Sequence, residues 1–204
     1  MMRVLDKEVV EEIVRDRKKR GIDQKDEVWN GVYVVMPEPT IEHQRLVKRL
    51  TSVLIRVVDE EERGEVFPGT NVSNRRRGWE KNYRAPDIVV VLHNSRAEDC
   101  ATHWLGGPDL LIEVESPDDE TDAKIPFYGD IGVRELLIVH RDTRQLRLYR
   151  NDGTSLAPVE PNARSGKEWL VSEVVPLALS RAAVKGQRPK IEVRRTDRPG
   201  KWVI

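Results

Sequence analysis

Apolar residues recur every three to four positions in two stretches of the chain, and they alternate or run together in most of the remainder. Leu5, Val9, Val10, Ile13 and Val14 share one helical face and Gly21 follows, so residues 4–20 are predicted as a short amphipathic helix. Thr40 is placed to cap a second helix over about 41–60, where Leu46, Leu50, Val53, Leu54 and Val57 form one apolar stripe. Between them, residues 31–36 (GVYVVM) are rich in β-branched and aromatic side chains and stop at Pro37, the pattern of a strand. Strand character returns at 65–73 (broken at Pro68 and Gly69), at 88–92 behind Pro86, and at 109–115 behind residues 106–108 (GGP). Residues 122–130 form a short helix before Gly132, and 135–140 and 145–150 flank 141–144 (RDTR) as a hairpin. Shorter strand-like pieces follow at 170–175, 191–195 and 202–204.

Strands interspersed with helices predict an α/β or α+β domain, a central mixed sheet flanked by helices, whose topology this pattern leaves open. The length suits one domain over 1–204, with residues 151–204 as a strand-rich C-terminal extension.

Charge changes this picture. The chain holds 35 Lys and Arg against 35 Asp and Glu, and a net charge of zero argues against a generally basic coat for nucleic acid. The zero is a sum of unlike segments. Residues 74–84 (NRRRGWEKNYR) carry Arg75, Arg76, Arg77, Lys81 and Arg84 against Glu80 alone, and 181–201 carry eight basic residues against Glu192 and Asp197. Residues 109–122 hold Asp109, Glu113, Glu115, Asp118, Asp119, Glu120 and Asp122 with no basic residue. A lone cysteine, Cys100, excludes an internal disulfide, and with His93 and His103 it is too scattered for a zinc site. No apolar run approaches the ~20 residues of a membrane span, and the N-terminus lacks a signal-peptide core, so the chain reads as soluble and cytoplasmic. No phosphate-cradling or dinucleotide-binding glycine motif occurs.

Two carboxylates interrupt the apolar run at 109–115. Leu110, Ile112 and Val114 share one face of the predicted strand, and Leu111, Glu113 and Glu115 share the other. A carboxylate there is costly to bury unless it is paired or binds a cation; otherwise the strand ends near Ile112 and both glutamates lie at a wet edge. Asp87 opens the neighbouring apolar strand, so two strands offer carboxylates to one region. One or two carboxylates, completed by water and substrate phosphate, are how proteins hold Mg²⁺ for phosphoryl chemistry. Lys124, the only basic residue between Asp109 and Arg134, follows on the next helix, where an ammonium would orient water or neutralise developing phosphorane charge.

These residues resemble the PD-(D/E)XK nuclease superfamily, and more specifically its Uma-type family of restriction-endonuclease-like proteins. The matching blocks are 29–36 (WNGVYVVM), 42–46 (EHQRL), 82–90 (NYRAPDIVV), 109–117 (DLLIEVESP), 122–128 (DAKIPFY) and 132–136 (GVREL), which cover about 27–150 in the family's order. The resemblance implies a restriction-endonuclease-like core, with Asp87 and Glu113 as ligands of Mg²⁺ (or Mn²⁺). It implies that Glu42, the family's helix carboxylate, completes the site through water; the alternative is a plain first-turn acid favoured by the helix dipole. His43 stands at the family's adjacent histidine, with structural and chemical roles both open. Tyr128, four residues beyond Lys124, is read as packing.

The chain departs from the superfamily in one place. Where that pattern has lysine two residues after the acid, this sequence has Glu115. Either Lys124 supplies the ammonium from the next helix, as the Uma-type resemblance implies, or the fold is kept without catalysis. Glu115 would then modulate the lysine or bind a second ion. The expected function is metal-dependent hydrolysis of phosphodiester bonds in DNA; the alternative is an inactive nuclease fold that binds nucleic acid or a protein partner. Arg75, Arg76, Arg77, Lys81 and Arg84, interleaved with Trp79 and Tyr83, are the candidate phosphate- and base-binding residues. Pairing of related nucleases across two strands implies a homodimer.

Overall fold

The computed structural model describes residues 2–4, 7–117, 119–164 and 166–204, so Leu5 and Asp118 lie outside the described residues. Helix α1 spans Lys7–Arg20, behind a strand at Met2–Val4 that pairs antiparallel with Val32–Val35. Glu27–Trp29 and Val32–Val35 form a hairpin whose two turn residues, Asn30 and Gly31, both adopt positive φ (49° and 87°). Such a turn matches the twist of the paired strands and favours Asn-Gly. Buried Asp26 ties α1 to this hairpin: it pairs with Arg17 and accepts from the Tyr33 hydroxyl (2.6 Å) and the Met36 amide (2.9 Å).

Helix α2 spans Ile41–Val57, and Thr40 caps it by accepting a hydrogen bond from the His43 amide. Six of its side chains, from Leu46 to Val57, are buried, each contributing roughly 1.5–3 kcal/mol over exposure. They pack on one face of a six-stranded sheet, where Leu110, Ile112, Val114, Leu137 and Val139 point toward them. Leu170, Leu177, Leu179, Ile191 and Val193, from a five-stranded C-terminal sheet, complete the same core. On the opposite face Val89, Leu111, Leu136 and Ile138 pack against Phe127 and Tyr128 of helix α3 (Ile125–Asp130). Sheet strands covered on both faces explain the near-continuous apolar runs.

Within that sheet Leu110–Glu115 lies parallel to Glu135–His140 and antiparallel to Ile88–Leu92. Glu135–His140 and Leu146–Asn151 form the expected hairpin. The region expected as one helix over 122–130 is a 3₁₀ turn at Thr121–Lys124 that runs into α3, with Pro126 in the first helical turn where its missing N–H costs nothing. No helix among the described residues is long and apolar enough to cross a membrane.

Candidate active site

The site begins with strand register. Glu113 and Glu115 lie within the paired strand, opposite Ile138 and His140, rather than at a frayed edge. Ile112 faces Ile88 across the antiparallel pair, which sets Asp87 beside Glu113 at the end of the neighbouring strand. The Val114 amide donates to Asp87 Oδ2 (2.8 Å), and His43 Nε2 stands 3.2 Å from the same oxygen. The Thr40 cap explains that second contact: it makes His43 the third helical residue of α2 and turns it toward the sheet.

Glu113 projects to the α3 side. Its Oε1 accepts from Tyr128 Oη (2.5 Å) and from Lys124 Nζ (3.1 Å). Lys124 also reaches Glu27 Oε1 at 2.9 Å. Glu27 is held in turn by the Ala85 amide (2.9 Å) and by Trp29 Nε1 (2.5 Å). Lys124 is 2% exposed and Glu27 fully buried, so the ammonium is sandwiched between two carboxylates inside the protein.

These contacts set the protonation states. Burial raises the Glu113 carboxyl, and the nearby charges of Asp87 and Glu27 add to it against the pull of Lys124, leaving it at about 7. Burial also works against the Asp87 charge, but the His43 contact, the Val114 amide and the charge of Lys25 hold it below its ordinary value. Burial would lower Lys124; Glu113 and Glu27 overcome this and hold it above the ordinary lysine value.

Asp87, Glu113 and Lys124 open onto a small cleft of about 60 Å³ that His43, Lys25 and Asp119 also line. Among the described residues no hydrogen bond or ion pair engages Asp87 Oδ1 or Glu113 Oε2, and Asp119 Oδ1 is buried without a partner. Carboxylate oxygens left over in this way suit a hard divalent cation that takes its remaining ligands from water and substrate. No three His, Cys, Asp or Glu side chains among the described residues converge into a cage of their own.

Other residues singled out from the sequence lie elsewhere. Glu42 pairs with Arg144, Arg45 and Arg188 and does not line the cleft. Burial works against its charge, but Arg144 and Arg45 outweigh this and hold its carboxyl below the ordinary value. Glu115 is bound by Arg147 at 2.9 Å, and it too is absent from the cleft wall. Arg75, Arg76, Arg77 and Lys81 are exposed, with Arg76 paired to Glu98. Trp79 is stacked on His103 and edge-on to Tyr83, so these aromatics pack on the protein itself.

Arg84 departs from its expected place on the surface. It is 3% exposed, its guanidinium lies 4.6 Å from the Trp29 ring centre and 4.2 Å from that of Phe127, and it donates to the carbonyls of Val28 and Tyr83. A basic residue in an otherwise exposed run is here a buried support of the site. Arg84→Ala is expected to lower stability by about 2–4 kcal/mol, through lost cation–π and hydrogen-bond contacts, which urea unfolding checks.

Glu27, His43 and Tyr128 are the site residues that pattern reading undervalued. A signal for Glu27 was present: the Asn30-Gly31 hairpin turn pairs the segment before it with 32–35, and strand alternation then puts Glu27 on one face with Trp29.

The model of the family described as "Uma2: Putative restriction endonuclease" matches residues 14–185. Among solved structures, a "putative nuclease belonging to DUF820" from Anabaena variabilis ATCC 29413 is similar to this chain, with a TM-score of 0.53 and 22% identity over 68% of this chain and 78% of that one. At that identity the likeness concerns the fold. A search of curated proteins found no match.

Proposed function

Because the chain belongs to the Uma2 family, we propose that it is a divalent-metal-dependent endonuclease that hydrolyses phosphodiester bonds in DNA. One observation carries this reading: Asp87 and Glu113 share a cleft, each with one oxygen tied to the protein and the other left over. In this reading those two carboxylates hold Mg²⁺ or Mn²⁺, and the ion, when bound, supplies charge neutralisation and a more acidic water. His43 and the Val114 amide orient Asp87. Tyr128 and Lys124 hold one oxygen of Glu113 and so aim the other. Lys124 acts as a positioning residue, with its ammonium held between Glu27 and Glu113. Exposed Arg75, Arg77 and Lys81 are the candidate phosphate contacts outside the cleft. The reading also places the enzyme in the cytoplasm as a homodimer, one active site for each strand. Incubating the purified chain with plasmid and Mg²⁺ or Mn²⁺ tests it: nicking is expected, and intact plasmid across both metals counts against it.

The engagement of Lys124 by two carboxylates, together with Glu115 in the usual lysine position, favours a second reading as a non-catalytic binding module. Calorimetry with Mn²⁺ separates them, because the module predicts no heat at this site. For the enzyme, a proton on Glu113 competes with the metal below its value of about 7. Mn²⁺ affinity is therefore expected to rise about tenfold per pH unit up to roughly that point and to level off above it, and Glu113→Gln should weaken binding and flatten the profile.

A further inference from the structure

The cleft contains a second ammonium that the roles above leave idle. Lys25 lines it alongside Asp87 and Glu113, half-buried, and among the described residues no hydrogen bond or ion pair engages its Nζ. A Cβ at Gly69 would stand 2.5 Å from Lys25 Nζ, so the ammonium rests over a residue that has no side chain and a φ of +69°. The Gly69 amide donates to the Asp87 carbonyl (3.0 Å), and the Lys25 charge is felt at the Asp87 carboxyl. The mount is rigid, since the next two residues, Asp26 and Glu27, are buried and held by several hydrogen bonds each.

The contrast with Lys124 is chemical. Lys124 is 2% exposed and spends its charge on Glu27 and Glu113. Among the described residues Lys25 keeps three donors without a partner, beside carboxylates that feel its charge but that it does not bond. Such a cation next to two metal-binding carboxylates is placed for an anion that arrives with the metal, and a phosphodiester oxygen is that anion.

Resting on the nuclease reading, we propose that Lys25 is the residue that contacts the scissile phosphate, donating to a non-bridging oxygen in the ground state and more strongly in the transition state. In the step it serves, a water oxygen bonds to phosphorus and the phosphorus–oxygen bond to the leaving strand end breaks. One water proton goes to solvent, the leaving oxygen takes up another, and Lys25 keeps its own proton while it offsets the negative charge on the equatorial oxygens.

The test uses the full chain, an end-labelled DNA duplex and Mn²⁺. Lys25→Ala is expected to lower kcat by about 10²-fold, Lys25→Arg to recover part of it, and Mn²⁺ affinity to stay within about threefold in both. Gly69→Ala, which pushes a methyl against Nζ, should lower kcat in the same direction by a smaller factor. Cleavage by Lys25→Ala within about threefold of the parent, with Asp87→Asn inactive, would overturn the assignment of Lys25 and leave the nuclease reading intact. Loss of Mn²⁺ binding together with kcat would also overturn it, by making Lys25 a support of the metal site. If the parent chain cuts nothing, the nuclease reading fails, and binding of the same duplex in EDTA decides the contact separately. There Lys25→Ala should reduce the slope of log affinity against log salt by about one unit, and an unchanged slope rejects the contact.

Discussion

Replacing Asp87 by Asn should lower metal-dependent DNA cleavage by about 10³-fold or more while the protein still folds. The side chain keeps its shape and an oxygen that accepts the Val114 amide, so the strand pairing that positions Glu113 is retained. What is lost is the negative charge, which the structure keeps ionised through His43, the Val114 amide and Lys25 despite burial. Glu113→Gln should have an effect of the same order, for the same reason. Single-turnover rates with Mg²⁺ and Mn²⁺, alongside melting curves, check both halves. If Asp87→Asn cuts within about tenfold of the parent, the metal-ligand assignment is wrong whatever happens to stability.

Lys124→Ala is expected to have the largest effect on folding, about 3–5 kcal/mol, because it leaves Glu27 and Glu113 as buried carboxylates with no cation between them. For a chain of this size that is a fall in Tm on the order of 10 °C. The deficit has a pH signature. Burial and the neighbouring carboxylates already raise Glu113 from 4.5 to about 7 in the parent chain, and losing Lys124 removes the charge that opposes this rise. Between the unfolded and folded values the folded state holds a proton that the unfolded state has lost, so stability falls as pH rises through that window. Below about pH 7 both folded proteins carry this proton and lose stability alike, so the gap in Tm between parent and Lys124→Ala should open as pH rises past about 7 and stay narrower and constant below it. A gap of constant width would mean that lost packing of the lysine stem, rather than the unpaired carboxylates, causes the instability. Lys124→Met, which restores the stem without the charge, separates the two contributions directly.

Several parts of the site were visible in one dimension. The Thr40 cap, the stripe of α2 and the apolar strands at 88–92 and 110–115 follow from local chemistry and period, and the structure contains each of them. Alternation alone put Glu113 on the face opposite Ile112 and Val114, and Asp87 at the start of the next apolar run. The same local rules misread Arg84. Five basic residues within eleven look like one solvated loop, but Arg84 pairs as a strand residue with Val72 and is drawn between Trp29 and Phe127. Glu42 and Glu115 were equally ambiguous. A first-turn carboxylate and a strand-end carboxylate are taken by whichever arginines the fold brings near, here Arg144 from a hairpin turn and Arg147 from the adjoining strand.

The strand expected at 170–175 ends at Val171 and the next begins only at Leu177, but the order of residues settled helix α2, the apolar strands at 88–92, 110–115 and 135–140, and which two carboxylates stand at the ends of neighbouring strands. It did so because backbone propensity and side-chain alternation act over a few residues. Which cation answers which carboxylate was decided only when the chain closed. Lys124 meets Glu27 across 97 positions and Glu113 across 11, and among the described residues Lys25 is left without a partner beside Asp87. Burial makes an unpaired charge costly wherever it comes from along the chain, so that selection among partners belongs to the tertiary fold.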